Sequence, residues 1–258
     1  IRFKETLGSM RFPNAWMIYG NNLKSIPSDT VANAFRTIIT SILRGEEAFK
    51  KMRYSEENSP HIQKINEKHS AQWILWQEAC PPKTIELKVP TAPKKSYTVE
   101  NTDHWEDLFL SGTEVNSCQD VSNDIKHSRG LLGYLMSGKN RMIAIKDPIT
   151  NKVVSRAIIK MLWNENAQSP ELFLEEIYTN PQLFPVREDT RKIIKDFAIQ
   201  EAKRLKLNLF IKVEQQKNNC ENLISFKCKS PFDYSDTVMG VVQDGCYTLK
   251  NIFLLFKA

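Results

Sequence analysis

The sequence predicts an α+β fold, with a helical N-terminal portion followed by a domain built on a mixed parallel and antiparallel sheet. Three observations predict it. Up to about residue 80 the apolar residues recur at helical spacing, and after residue 96 short β-rich runs alternate with turn residues. Residues 171–213 then read as strand, loop, amphipathic helix and strand, the pattern of a crossover between parallel strands. With 258 residues, 41% of them apolar and 26% charged, the chain has the composition of a globular protein able to bury a substantial core.

The elements follow in order. Ser28 or Asp29 can cap a helix that carries Val31, Ala34, Phe35, Ile38, Ile39 and Ile42 on one stripe, and Gly45 interrupts it. A second helix is predicted to start at Ser59-Pro60, with Ile62, Ile65, His69, Trp73 and Trp76 along one side. On that stripe His69 reads as a packed, hydrogen-bonded core residue. The proline and lysine segment 81–97 holds an edge strand from Thr84 to Val89. A basic helical region (1–89), a linker (90–96) and a sheet domain (97–258) are therefore expected.

Residues 130–139 (GLLGYLMSGK) lack phosphate-loop spacing and read as a short buried helix. Residues 141–163 form two strands around Asp147-Pro148 and Asn151, and 171–178 (ELFLEEIY) form a third. Arg187 to Leu205 carries Ile193, Ile194, Phe197, Ala198 and Leu205 on one face and leads into a strand from Leu207 to Val213. A closing hairpin is predicted around Asp244-Gly245.

Composition narrows the function classes. No apolar run approaches the ~18 residues that span a bilayer. The chain opens at Ile1 with no secretory signal pattern and is read as a fragment of a longer polypeptide. Its five cysteines show no C-x-x-C spacing, which points to a reducing, cytosolic compartment. Residues 1–96 hold 15 basic and 9 acidic side chains, whereas the remainder is balanced. These charges are dispersed and lack interleaved aromatics, so they read as a solvated basic face suited to a protein partner more than to nucleic acid.

From residue 125 onward the element order resembles the GNAT family of N-acetyltransferases, on the strength of "EEIYTNP" (175–181), the loop and helix after it, and "NNCENLISFKCKSPF" (218–232). The resemblance implies a central strand that splays from its neighbour and a helix N-terminus that holds the pyrophosphate of acetyl-CoA or another acyl-CoA. It places cofactor contacts at Ile177, Tyr178, Val186, Arg187, Thr190, Arg191 and Lys192. Glu175 or Glu176 becomes the base, and Tyr234 stands nearest to the family's acid, because Phe226 cannot donate a proton. The family pattern Q/R-x-x-G-x-G/A is altered: Thr190 and Lys192 fill the small positions, and Glu188 and Asp189 add negative charge. The altered loop leaves a non-catalytic protein-interaction module as the alternative. The sheet domain also loosely resembles end domains of large bacterial effector proteins, which would place it in a host cytosol.

A second chemistry is written in residues 107–124. Cys118, near a predicted helix start, is a candidate nucleophile with His104 or His127 as base and Asp120 or Asp124 to orient it, or else a small buried residue. A zinc site from Cys80, His104, Cys118 and His127 has no recognised ligand spacing, and no metal is expected. Residues 233–236 (DYSD) read as a polar turn.

Overall fold

A computed structural model describes residues 28–55, 59–90, 94–120, 127, 129–212, 221–224, 232–238, 240–243 and 247–258. Helix α1 (Ser28–Leu43) is followed by α2 (Glu46–Tyr54), and between them Gly45 takes a φ of 104°, a value that side chains disfavour. The helix expected from Ser59-Pro60 is two: α3 (Pro60–Lys68) and α4 (Ser70–Gln77), broken at His69, whose φ of −133° and ψ of 30° are not helical. The break lets Ile62, Ile65, Trp73 and Trp76 all bury against the sheet. His69, expected in the core, is only half-buried and turns Nε2 toward the Gln168 carbonyl at 3.3 Å.

Helices α5 (Trp105–Leu110), α6 (Gly130–Met136) and α7 (Arg187–Leu205) complete the described α-helices. The strands, in chain order, are β1 (Lys83–Leu87), β2 (Lys95–Thr102), β3 (Asn140–Lys146), β4 (Val153–Asn164), β5 (Ser169–Leu174), β6 (Tyr178–Thr179), β7 (Leu209–Lys212), β8 (Glu221–Ile224), β9 (Phe232–Ser235), β10 (Gly240–Gln243) and β11 (Thr248–Phe256). The main sheet runs β1-β2-β3-β4-β5-β7-β11-β8, and β6 pairs with β4. It is mixed: β5 and β7, joined through α7, are parallel from Leu172 opposite Leu209 to Leu174 opposite Ile211, and the other ladders are antiparallel.

Strand alternation divides the core into two layers. Ile143, Ile145, Ile159 and Met161 face a cluster with Ile194, Phe197, Ala198 and Leu205 of α7 and the apolar residues of α3 and α4. On the other face Met142, Ala144 and Ile158 pack with Ala34 and Ile38 of α1, with α5 and with α6. Each fully buried Ile, Leu or Phe contributes about 1.5–3 kcal/mol. Polar ties fasten the N-terminal helices as well: fully buried Arg53 of α2 donates to the carbonyls of Leu135 at 3.0 Å and Asn140 at 2.5 Å, and Trp76 Nε1 donates to Gly138 O at 2.7 Å. No helix among the described residues is long and apolar enough to cross a membrane.

Two local expectations are corrected. The closing hairpin is β9 with β10, while β11 pairs with β7 and β8; buried Leu249 and Ile252 draw β11 to the main sheet, and Asp244-Gly245 lies outside the described residues. Glu221–Ile224, in the stretch 218–232 whose resemblance implies a helix and a bend, is a strand that buries Leu223 beside Leu162, Phe173 and Leu249.

Candidate active site

The parallel ladder stops at Leu174 and Ile211. There the strands part around a cavity of about 290 Å³ whose lining includes Glu176, Ile177, Arg191, Lys195, Ile211 and Lys212. The chain then rejoins β4 as β6, taking four steps from Leu174 to Tyr178 while β4 takes three from Ile159 to Arg156. The extra residue is a β-bulge.

The start of α7 forms one wall of this cleft. Arg191 donates from Nη2 to Glu176 Oε1 at 2.7 Å. Of the other residues expected near a cofactor, Ile177 and Val186 are buried, Arg187 is exposed with its guanidinium 5.9 Å from the Phe184 ring centre, and Lys192 points to solvent. Thr190 is fully buried: its hydroxyl donates to Arg187 O at 2.8 Å and lies 3.1 Å from Thr179 Oγ1. Its side chain is therefore turned into the protein. Lys195 and Lys212, which no sequence motif singles out, bring further positive charge to the cleft.

Glu176 is exposed, whereas Glu175 is buried on the face that carries α6 and β9. That face holds charge from several strands. Lys160, in the middle of β4, is fully buried; its Nζ donates to Tyr247 OH at 2.8 Å and to the Tyr234 carbonyl. The same ammonium lies 3.3 Å from Glu175 Oε1 and 3.5 Å from Asp233 Oδ1, and Lys139 Nζ is 2.6 Å from Asp233 Oδ2. Burial alone would lower the Lys160 pKa, but Asp233 and Glu175 outweigh it and hold the ammonium above its ordinary value. Burial pushes Glu175 up to about 7; Lys160 pulls against that rise and Asp236 adds to it. Neither oxygen of Glu175 accepts a well-aligned hydrogen bond, so the ion pair leaves its charge only partly compensated.

Toward the surface the network ends in hydroxyls and a thiol. Tyr234 OH donates to Asp236 Oδ1 at 2.8 Å, and Tyr178 OH donates to the same oxygen at 2.9 Å. Cys118 Sγ lies 3.4 Å from Tyr234 OH, and the His127 ring sits edge-on to the Tyr234 ring at 6.4 Å. Burial first and the Asp236 charge second raise both phenol pKa values, so Tyr178 and Tyr234 keep their protons at neutral pH. The backbone of β9 reaches this position because α6 presents glycines: a Cβ on Gly133 would stand 2.2 Å from Phe232 O, and one on Gly130 2.6 Å from Tyr234 Cβ.

The sequence-derived candidates are thus sorted. Cys118, His127, Tyr234 and Glu175 border one network, while Glu176 and Arg191 belong to the cleft, whose lining Glu175 also reaches. His104 and Cys80 line a separate cavity with Glu100 and Asp103, where burial and Glu201 push the Cys80 thiol up to about 11. Asp120 is buried and accepts from Thr113 Oγ1 at 3.5 Å, and Asp124 and Phe226 lie outside the described residues. No group able to hold a metal ion is found among the described residues. Asp233, read as part of a polar turn, is instead a fully buried strand residue between two ammonium groups. Lys160 carried a readable signal, a lone cation inside the apolar run AIIKMLW.

No protein-family model matches the chain, and no curated protein matches it. Among solved structures, that of a possible acetyltransferase from Clostridium difficile 630 is similar over 48% of this chain and 82% of its own, at 12% identity and a TM-score of 0.36.

Proposed function

We propose that the chain is an acyltransferase-like domain that moves an acyl group from acyl-CoA to an amine of a protein or small molecule. The observation that carries this is the cleft where β5 and β7 part, with a buried carboxyl of pKa about 7 at its edge. The order antiparallel strands, crossover helix, parallel strand resembles the GNAT arrangement named above. The residues present fit such a group in part. Arg191, Lys195 and Lys212 supply cations for its phosphates, and Thr190, turned inward, does not cover the first amides of α7. The cofactor would supply an activated acyl thioester. Glu175, largely ionised just above neutral pH, would take the proton of the attacking amine, and Tyr234, a phenol that keeps its proton, would be the donor.

Calorimetric titration with acetyl-CoA and with CoA tests the reading. Binding in the micromolar range, about 8 kcal/mol, is expected, and it should weaken in Arg191→Ala. Acyl transfer to a panel of amines should rise with pH through about 7 and lose that limb in Glu175→Gln. The Glu176–Arg191 pair favours a second reading, a non-catalytic protein-interaction module, because an internal carboxylate already occupies Arg191, one of the three cations of the cleft. Absence of heat at millimolar cofactor together with absence of transfer would select that second reading.

A further inference from the structure

We infer that Lys160 is the positioning residue of the proposed base: its ammonium, anchored inside the sheet, holds the Glu175 carboxyl ionised at the edge of the cleft. This rests on the acyl-transfer reading and deepens it. Glu175 N donates to Ile158 O at 2.9 Å, which fixes the residue against β4 two positions before Lys160. Its side chain is buried, reaches the lining of the cleft, and has Lys160 Nζ 3.3 Å from Oε1.

The ammonium has little freedom. Of its three N–H groups, one goes to Tyr247 OH and one to the Tyr234 carbonyl, and the rings of Tyr247 and Tyr134 are centred 5.3 Å and 5.8 Å from it. The third is left for a carboxylate. Asp233 stands 3.5 Å away but has Lys139 at 2.6 Å, so Glu175 is the carboxyl that Lys160 answers. Two buried ammonium groups with Asp233 alone leave one positive charge in excess, and ionised Glu175 closes the cluster to neutrality. An uncompensated charge away from water is costly, so the cluster itself favours the carboxylate.

Other charges facing Glu175 do less. Asp236, in the turn after β9, opposes its ionisation, and Tyr134 of α6 keeps its proton. In the cleft, Glu176 is paired with Arg191, and Lys195 of α7 and Lys212 of β7 stand in water that screens them. Burial is the largest influence on the carboxyl, and the Lys160 charge is the strongest opposition to it.

The test is titration of the Glu175 carboxyl by carbon-13 NMR in the full chain labelled at its glutamate side chains, with Glu175→Gln to assign the signal. It is run beside the pH profile of acyl transfer from acetyl-CoA to amines. In Lys160→Met the Glu175 midpoint should rise by about one to three units, and the rising limb of transfer should move with it. Lys160→Arg, which keeps the charge, should return both toward the parent. Asp233→Asn should move the midpoint the other way, because it leaves Glu175 as the remaining carboxyl beside Lys160; this variant carries the test if the melting curve of Lys160→Met shows no fold. Loss of stability with an unmoved midpoint makes Lys160 structural and overturns the inference. A midpoint that shifts while the limb stays in place removes Glu175 as the base and overturns it too. A shifted midpoint in a chain that transfers no acyl group counts against the acyl-transfer reading and upholds the coupling of Lys160 to Glu175.

Discussion

Two acid–base pairings lie close together in sequence and differ in almost every physical respect. Glu176 and Arg191 meet at 2.7 Å across a cleft open to water, whereas Glu175, Lys160 and Asp233 meet at 3.3–3.5 Å with no solvent contact to speak of. In the cleft, water screens the charges and such a pair contributes about 0–1 kcal/mol. In the interior, each ion was desolvated to get there, and its partners hold it in place only together. Distance therefore does not rank these pairs: the buried Lys139–Asp233 contact at 2.6 Å and the exposed Glu176–Arg191 contact at 2.7 Å differ in surroundings, not in length. Neighbouring glutamates come to differ because one residue turns outward and the next turns in.

That contrast can be broken most forcefully at Asp233. Asp233→Asn removes the charge shared by Lys139 and Lys160 and is expected to lower unfolding stability by about 3–5 kcal/mol. Urea denaturation reads this, and a loss below about 1 kcal/mol would mean that the ammonium groups are compensated elsewhere.

Glu175 gives the next largest effect, and its sign depends on pH. Its folded pKa of about 7 lies above the ordinary 4.5, so the folded state holds the proton more tightly than the unfolded one. The stabilisation is fully present below the unfolded pKa and is lost as pH rises from about 4.5 through about 7, by up to about 3 kcal/mol. Glu175→Gln should flatten that slope, so that the variant gains on the parent between pH 5 and pH 8. Parallel stability curves for the two proteins would refute the assignment.

The smallest expected change in stability is in the cleft. Glu176→Gln should move stability by less than about 0.5 kcal/mol and tighten acetyl-CoA binding about fivefold, because Arg191 is released and one negative charge is removed. A destabilisation like that of Asp233→Asn would erase the distinction between the two regions.

What the sequence could show depended on how local the cause was. The β3–β4 hairpin and α7 were legible because their signals are local: Asp147 Oδ1 accepts from Ile149 N at 2.9 Å, Asn151 takes a φ of 55°, and α7 is one uninterrupted amphipathic pattern. α2 was missed because its two buried residues, Phe49 and Arg53, make too short a stripe, and one of them is a cation that caps distant carbonyls. The break at His69 was hidden because the apolar spacing continues across it. In the candidate site, Glu175 and Tyr234 came from the family resemblance, and Cys118 from its residue type near a predicted helix start. Lys160 shows in the sequence only as a lone cation in an apolar run, and Asp233 does not show at all, because a charged side chain reads as solvated until the fold places its partners beside it. The pairing of β9 with β10 is local, across the four residues 236–239, and was missed because 233–236 reads as a polar turn in the sequence.

The bulge between β5 and β6 has a consequence in parity. Along an unbroken strand, residues an odd number of positions apart face opposite sides, yet Leu174 and Ile177 share one core and Tyr178 packs in the other. The extra residue acts as a frame shift in the sheet's two-letter alternation: it lets Glu175 and Tyr178 address the same polar interior while Ile177 returns to the apolar layer. Deleting one residue there would leave the composition almost untouched and still exchange the inner and outer assignments of everything from Ile177 to the start of the 3-10 turn at Pro181. In this segment, the count of residues carries as much chemical information as their identity.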